Sequence, residues 1–227
     1  MQPVAPAHRI RSFKPRRGRV TPGQQRALDA LGGTYALPLR DTPLDPVEVY
    51  GRSAPLILEI GFGMGETTAT LAEADPARDV LAVDVHTPGI GALLAEVAAR
   101  GLSNVRVISG DAVEVLRDML APSSLDEVRV FFPDPWPKSR HHKRRLVDAG
   151  FAALAATRLR PGGRVHCATD WAPYARQMLA ALSATPELQV LGDGFVPRPG
   201  WRPVTRFEQQ GIDKGHEVFD VIAVRAG

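Results

Sequence analysis

Residues 56–66 read LILEIGFGMGE, a short apolar run that leads directly into three glycines at alternate positions. Such a run predicts a buried strand at residues 56–60. Glycines permit a tight turn and let the backbone come close to a ligand, which is typical of a binding loop between a strand and a helix. The segment therefore predicts the start of an α/β unit with a ligand site at the end of its first strand.

Outward from this loop, short apolar runs alternate with helical stretches. This alternation indicates βαβ units and predicts an α/β, Rossmann-like fold with a mostly parallel seven-stranded sheet and helices on both faces. Further strands are predicted at residues 80–85, 105–108, 128–132, 164–168, 218–224 and, more weakly, 189–191. Helices are predicted at residues 66–74, 90–100, 113–120, 143–160 and 174–183.

Carboxylates stand at the ends of the first three of these strands, where ligands of open α/β sheets bind. The G-x-G-x-G spacing of Gly61 and Gly63 lacks the G-x-x-G ending of pyrophosphate loops, and Glu59 just before it would repel a pyrophosphate. Glu59 suits a cation such as the sulfonium and ammonium groups of S-adenosylmethionine. Asp84 is placed to accept ribose hydroxyls and Asp111 to reach an adenine amino group, although each alone could be a helix N-cap. Together they favour an S-adenosylmethionine-dependent methyltransferase.

The fourth strand runs into FFPDPWPKSRHHKRR at residues 131–145. Prolines on both sides of Asp134 stiffen the backbone, so that one carboxylate and the ring of Trp136 would face the methyl donor. Trp136 is available for base stacking, and the basic residues after it would contact phosphates. The alternative for this segment is a buried tryptophan beside a capping aspartate.

This run resembles the diagnostic segment of the bacterial tRNA (guanine-N7)-methyltransferases. Similar elements span nearly the whole chain: RSFKPRRGR at 11–19, LEIGFGMGE at 58–66, VDVHTPGIG at 83–91, LRPGG at 159–163, ATDW at 168–171 and PVTRFE at 203–208. The resemblance implies an enzyme that methylates N7 of guanine 46, in the variable loop of tRNA, with S-adenosylmethionine and no metal.

Carried over by motif, the resemblance also implies site residues. Asp134 would be catalytic and would contact the cofactor together with Glu59, Gly61, Gly63, Asp84 and Asp111. The substrate would meet Lys138, Asp170, Thr205, Arg206, Phe207 and Glu208. RNA would meet Arg140, His141, His142, Lys143, Arg144 and Arg145 and the arm residues Arg16, Arg17 and Arg19.

The sequence departs from the family pattern at three places. Asp84 stands where a glutamate is frequent, and Arg206 stands where lysine is usual, which matters at a bidentate site. Residues 212–217 differ from the usual pattern, so no role is assigned to His216. Adjacent histidines such as His141 and His142 do not point the same way, which argues against a metal site.

Charge is distributed unevenly along the chain. The net charge is +3, and residues 1–20 with residues 138–145 hold eleven Lys and Arg and no acid, which leaves −8 for the rest. Two basic segments on an acidic body favour a nucleic-acid partner, although each alone could be a solvated arm or helix start. Residues 1–45 are predicted as a basic, flexible arm and lead-in, and residues 46–227 as the methyltransferase domain.

Composition excludes other classes. The chain has one cysteine, Cys167, so it has no internal disulfide, no cysteine-rich zinc site and no placed cysteine nucleophile after the fourth strand. Without an apolar run of about 20 residues or a signal sequence, we expect a cytoplasmic protein, a monomer or homodimer that does not enter the membrane. Three alternatives remain: a tRNA-binding module or chaperone without activity, a methyltransferase for another RNA position or a protein, and a dehydrogenase.

Overall fold

The structure, a computed structural model, describes residues 11–13 and 18–227. Its centre is an eight-stranded sheet in the order β1-β4-β3-β2-β5-β6-β8-β7, parallel except for the pairs that β8 makes with β6 and β7. The strands are β1 (Ala36–Leu37), β2 (Leu56–Ile60), β3 (Asp79–Asp84), β4 (Val105–Ser109), β5 (Leu125–Phe131), β6 (Leu159–Thr169), β7 (Leu188–Val190) and β8 (Phe219–Arg225).

Helices flank the sheet on both faces. They are α1 (Pro22–Tyr35), α2 (Pro46–Tyr50), α3 (Glu66–Ala74), α4 (Thr87–Ala99), α5 (Ala112–Glu114), α6 (Ala149–Arg158), α7 (Ala172–Ser183) and α8 (Arg206–Ile212). A π-helical turn at Val115–Met119 continues α5, and a 3₁₀-helix covers Ser139–Arg144.

Alternate residues of β2 enter different cores, as expected for a strand that is covered on both sides. Leu56 and Leu58 pack into a cluster with α6 and α7, whereas Ile57 packs into a cluster with α1, α3 and α4. On β5 the face of the sheet that contains Ile57 is charged, because Glu127 and Arg129 are buried there instead of aliphatic side chains. This charged part of the sheet lies beneath the segment that leads into α8.

The predicted fold class is confirmed, and all seven predicted strands are present. The count of seven was too low, because the two-residue strand β1 pairs in parallel with β4 at the sheet edge. The predicted helix at residues 143–160 was wrong at its start: the chain turns through the 3₁₀-helix, and α6 begins only after Asp148, whose side chain accepts a hydrogen bond from the Phe151 amide. Helices α1, α2 and α8 were not predicted.

The fold places a site at one edge of the sheet. From β2 the chain builds the sheet outward through β3 and β4, then returns to the other side of β2 with β5. A crevice opens where the strand order reverses, at the carboxyl ends of β2, β3 and β5. The boundary between arm and domain at residue 45 stays a prediction, although α1 already packs on α4 through Ala27.

Candidate active site

Two adjoining cavities of about 360 and 280 Å³ lie in this crevice. The larger lies between the ends of β2, β3 and β5 and includes Asp84 and Asp134 in its wall, whereas the smaller is bounded by Glu59 and α8. Their size matches pockets that bind small molecules. The shared walls are Gly61, Gly63, Met64, Phe132 and Phe207.

The glycine-rich loop is packed tightly against the start of α4. Gly63 has a φ of 61°, in the left-handed region that favours glycine. A Cβ at Gly89 would lie 1.9 Å from the carbonyl oxygen of Gly63, so only glycine at position 89 lets α4 approach this closely. The predicted cofactor residues Gly61 and Gly63 therefore form the floor of both cavities.

Asp84 ties the loop to the end of β3. Its carboxylate accepts hydrogen bonds from the amides of Gly63 at 2.9 Å, Val85 at 2.7 Å and His86 at 3.0 Å. Burial raises the pKa of Asp84, and these hydrogen bonds act against the rise. Oδ1 accepts the bonds from Val85 and His86, whereas Oδ2 accepts only the bond from Gly63 and keeps a lone pair for a ligand hydroxyl from the larger cavity.

Glu59 is the most deeply buried of the predicted cofactor residues, with 4% of its surface exposed. Among the described residues, its Oε2 atom has no hydrogen-bond partner. Burial raises the pKa of Glu59, whereas the charge of Arg129 beside it on β5 and the Thr68 hydroxyl lower the pKa in part. A buried carboxylate oxygen without a donor at the wall of a cavity fits a cationic ligand group.

Asp111 is a helix cap. Its side chain accepts a hydrogen bond of 2.9 Å from the Val113 amide at the start of α5, while its neighbours Gly110 and Ala112 line the larger cavity. The capping alternative is thus observed, and contact of Asp111 with an adenine stays a prediction.

After β5 the chain makes an unusual turn into the cavity wall. Phe132 and Trp136 both have positive φ values, 51° and 44°, which non-glycine residues rarely adopt and which cluster at functional sites. Asp134 between them is exposed and lines the larger cavity, where sequence reasoning placed the catalytic carboxylate.

The prediction that Trp136 is available for base stacking was wrong. Only 8% of Trp136 is exposed, and its indole N–H donates a 3.1 Å hydrogen bond to the carbonyl oxygen of Ser12. Ser12 and Phe13 line the larger cavity, so Trp136 attaches part of the N-terminal segment to the site. Arg16 and Arg17 lie outside the described residues, and Arg19 is exposed.

The basic segment after Trp136 divides into outward and inward residues. Lys138, Arg140 and Lys143 are exposed, and His141 and His142 are half-buried. The Arg144 guanidinium lies 5.2 Å from the centre of the Trp136 ring.

Arg145 points inward, and 4% of it is exposed. Its guanidinium donates to the Pro135 carbonyl oxygen and to Gln177, both at 2.8 Å, and it lies over the ring of Tyr174. The geometry therefore contradicts RNA contact by Arg145. Instead, Arg145 stabilises the turn after β5 through its hydrogen bonds to Pro135 and Gln177.

The four residues predicted to meet the substrate at α8 have different surroundings. Thr205 and Glu208 form a capping box, in which each side chain accepts a hydrogen bond from the other residue's amide. Glu208 is buried, so the structure gives it a role inside the protein. Arg206 and Phe207 are exposed and line the cavities, and Phe207 is 63% exposed.

Asp170 lies at the end of β6, beside α8. Its Oδ2 is 3.0 Å from Nδ1 of His216, a residue to which sequence reasoning gave no role. A Cβ at Gly211 would lie 3.1 Å from the same Asp170 oxygen, so Asp170 fits closely against α8. Lys138 and Asp170 are not among the residues that line the two cavities.

Sequence reasoning missed several residues that shape the site. His86 lines the larger cavity after Asp84, and Phe13 lies within the RSFKPRRGR motif, where only the charges were considered. Arg202, buried between α8 and the sheet, is preceded by an exposed tryptophan and has no signal in the local pattern.

No cluster of metal-binding side chains occurs among residues 11–13 and 18–227. In the same ranges, the helices are too short or too polar to cross a membrane.

Solved structures with this architecture include RNA methyltransferases. A 16S rRNA methyltransferase, KamB, superimposes with a TM-score of 0.57 at 14% identity, over 79% of this chain and 92% of that chain. The 16S rRNA (adenine(1408)-N(1))-methyltransferase from Catenulisporales acidiphilia has a TM-score of 0.53 at 18% identity, over 83% and 97%. The strand order and the site at the switch point thus define a Rossmann-like methyltransferase fold.

Sequence comparison narrows this class to a family. The Methyltransf_4 model of methyltransferases matches residues 53–221. The tRNA (guanine-N(7)-)-methyltransferase of Streptomyces avermitilis is 58% identical over 94% of this chain and 74% of its own length. That of Paraburkholderia xenovorans is 54% identical over 96% and 84%. The chain belongs to the tRNA (guanine-N7)-methyltransferase family, which confirms the resemblance.

Proposed function

We propose that this protein transfers the methyl group of S-adenosylmethionine to N7 of a guanine in tRNA, at position 46 of the variable loop. The observation that carries the proposal is the Oε2 atom of Glu59, a buried acceptor without a donor at the wall of the smaller cavity. Family membership supplies the reaction and the tRNA substrate. We place this activity in the cytoplasm, where tRNA is modified.

The cavity walls fit the parts of the methyl donor. Glu59 is suited to the cationic methionine end, and Oδ2 of Asp84 keeps a lone pair for a ribose hydroxyl. Gly110 and Ala112, just after β4, would border the adenine. S-adenosylmethionine, when bound, supplies an activated methyl group on a sulfonium centre.

The target atom sets what the protein must do. Guanine N7 has a lone pair in the ring plane and no proton, so the site needs no strong base. The residues around it must hold N7 in line with the methyl group, about 3–3.5 Å away, and exclude water. We assign Asp134 to the positioning of the base. Its carboxylate, fixed between two prolines, would accept hydrogen bonds from the guanine N–H groups or stabilise the positive charge that develops on the ring.

Phosphates of the tRNA would meet the exposed basic side chains beside this carboxylate. Lys138, Arg140 and Lys143 lie just after Asp134, and all three are exposed. Arg19 is exposed on the N-terminal side of the same larger cavity, where Gly18 approaches His86. The described residues of both basic segments therefore lie near residues that line the larger cavity, as a surface for a polyanion would.

The test is a methyl-transfer assay on unmodified tRNA with labelled S-adenosylmethionine, followed by nucleoside digestion. We expect the label in 7-methylguanosine, and we expect it to vanish with tRNA that carries adenine at position 46. Label in another nucleoside would contradict the target atom. Label in 7-methylguanosine from both tRNAs would contradict the position alone. Binding of tRNA without any label would favour a binding module.

A further inference from the structure

Arg202 occupies the centre of a buried ionic network beneath α8. It donates to both oxygens of Glu208, at 2.6 and 3.0 Å, and to both oxygens of Asp220 on β8, at 2.9 and 2.8 Å. His166 on β6 completes the network through its Nε2 atom, 2.6 Å from Asp220. Arg202 is fully buried, with 0% of its surface exposed.

The network holds charges where burial would otherwise be costly. An isolated buried ion is strongly unfavourable, but a guanidinium has five donors in a planar fork that can serve two carboxylates at once. The pKa of Asp220 is informative: burial would raise it, but hydrogen bonds from His166 and Arg202 lower it. Arg202 therefore links Asp220 on the sheet to Glu208 on α8 through paired and hydrogen-bonded charges.

Apart from the close fit of Asp170 against Gly211, helix α8 buries little side-chain surface against the sheet. It has seven residues, of which only Glu208 and Gly211 are buried. Its apolar side chains Phe207 and Ile212 are 63% and 45% exposed, so they contribute little hydrophobic burial. The position of α8 thus depends chiefly on Glu208, and Glu208 is held by Arg202.

The same helix forms part of the active-site wall. Phe207 borders both cavities, and its ring lies on the glycine-rich loop, 3.9 Å from the point that a Cβ on Gly63 would occupy. A small rotation of α8 would therefore move this ring relative to the methyl donor and the incoming base.

We propose that Arg202 is a positioning residue: through Glu208 it fixes α8 so that Phe207 presents one aromatic face to the target guanine. The inference rests on the proposed function and adds a residue that acts without touching substrate. Because Arg202 acts through Phe207, the loss of either side chain should have the same consequence for turnover.

The test is a double-mutant cycle with Arg202→Lys and Phe207→Ala, assayed on tRNA at saturating S-adenosylmethionine. Lysine keeps the charge but lacks the fork. We expect each single variant to lose about tenfold or more in kcat/KM, since small misplacements of a reacting base are costly. We expect the double variant to lose no more than Phe207→Ala alone, because coupled residues are non-additive.

The matched control is Arg198→Lys. Arg198 also faces Glu208, at 3.9 Å, and donates a hydrogen bond to the Arg202 carbonyl oxygen, which a lysine can also do, but its side chain is 40% exposed. We expect this variant to stay within about twofold of the wild type, since exposed ion pairs contribute little. Thermal unfolding of every variant, measured beside the assay, sets a temperature at which all are folded.

Two outcomes would overturn the proposal on an active wild-type enzyme: full activity of Arg202→Lys or of Phe207→Ala, or losses that multiply in the double variant. Multiplying losses would mean that Arg202 acts independently of Phe207. If Arg202→Lys does not fold, Glu208→Gln replaces it in the same cycle, because it keeps Arg202 paired with Asp220. A wild-type enzyme that places no label in 7-methylguanosine would instead contradict the proposed function.

Discussion

We expect the buried Glu59 to destabilise the folded protein without ligand and to strengthen the binding of S-adenosylmethionine. Burial raises its pKa, so its ionised form is less favourable in the folded than in the unfolded protein. This cost is fully present above the folded-state pKa and disappears below the unfolded value of about 4. We expect Glu59→Gln to raise the melting temperature without ligand, and to raise it more at pH 8 than at pH 5, as differential scanning fluorimetry can measure.

The same substitution should weaken S-adenosylmethionine binding. Loss of a charge-assisted contact of about 1.5–3 kcal/mol corresponds to roughly 10- to 100-fold in Kd. Isothermal titration calorimetry measures this, and Glu187→Gln, at an exposed position, is the control for the loss of one negative charge. A Kd unchanged in Glu59→Gln would remove Glu59 from the cofactor site.

Asp134 should act on turnover and not on tRNA affinity. We expect Asp134→Ala to lower kcat by orders of magnitude, because the carboxylate would act on the guanine as charge develops, while the phosphate contacts remain. Single-turnover assays and tRNA filter binding separate the two effects, with Asp193→Ala at another exposed position as control. An active Asp134→Ala enzyme would contradict the assigned role.

The strand-end carboxylates could be predicted from the sequence, whereas the burial of individual side chains could not. Glu59, Asp84 and Asp134 were recognisable because each follows or ends an apolar run, and runs of this kind order the sheet. Trp136 and Arg145 belong to the same polar segment, yet both fold inward. Their partners, Ser12 and Gln177, are distant in the sequence, and local pattern cannot reveal such pairs.

At the scale of elements, helices that carry little apolar surface were missed. Helix α8 buries only two residues, and in α1 only Ala27 is fully buried while Leu28, Leu31 and Tyr35 pack on the core with partial exposure, so the apolar stripe of each helix is short or incomplete. A different signal was present: Thr21 and Gln24 form a capping box with proline at the first helical position. Thr205 and Glu208 have the same spacing, so capping chemistry would have located both helix starts.

Because α4 packs closely on the glycine-rich loop, we expect alanine substitutions at two helical glycines to have opposite effects on stability. Gly89→Ala places a Cβ against the carbonyl of Gly63 and must push the loop away from α4. We expect a loss of stability and weaker binding of S-adenosylmethionine, measured by chemical denaturation and calorimetry. Gly32→Ala in α1 is the matched control: nothing lies within 4 Å of its Cβ. There we expect a gain of about 0.5–1 kcal/mol from helix propensity. Equal effects at both positions would contradict the packing argument.

For the molecule as a whole, the fold determines which charges of the sequence lie on the protein surface. An acidic body that carries −8 is joined to two basic segments, and residues in or near each segment line the larger cavity: Ser12 and Phe13 for one, Pro133 and Asp134 for the other. The fold also removes basic side chains from the exposed surface, because Arg145 is buried and Arg144 lies over Trp136. The number of charges that can meet a phosphate is therefore smaller than the number in the sequence.

This difference predicts the salt dependence of tRNA binding. Each phosphate contact contributes about 0.7–0.9 to the slope of log K against log salt concentration. Replacing exposed Arg140 and Lys143 by alanine should therefore reduce the slope by roughly 1.4–1.8. Arg145→Ala should leave the slope unchanged in the folded protein but lower the free energy of unfolding, because it removes the hydrogen bonds to Pro135 and Gln177. Filter binding from about 50 to 200 mM salt measures the slopes. If Arg145→Ala reduced the slope and the exposed pair did not, the division into outward and inward residues would be wrong.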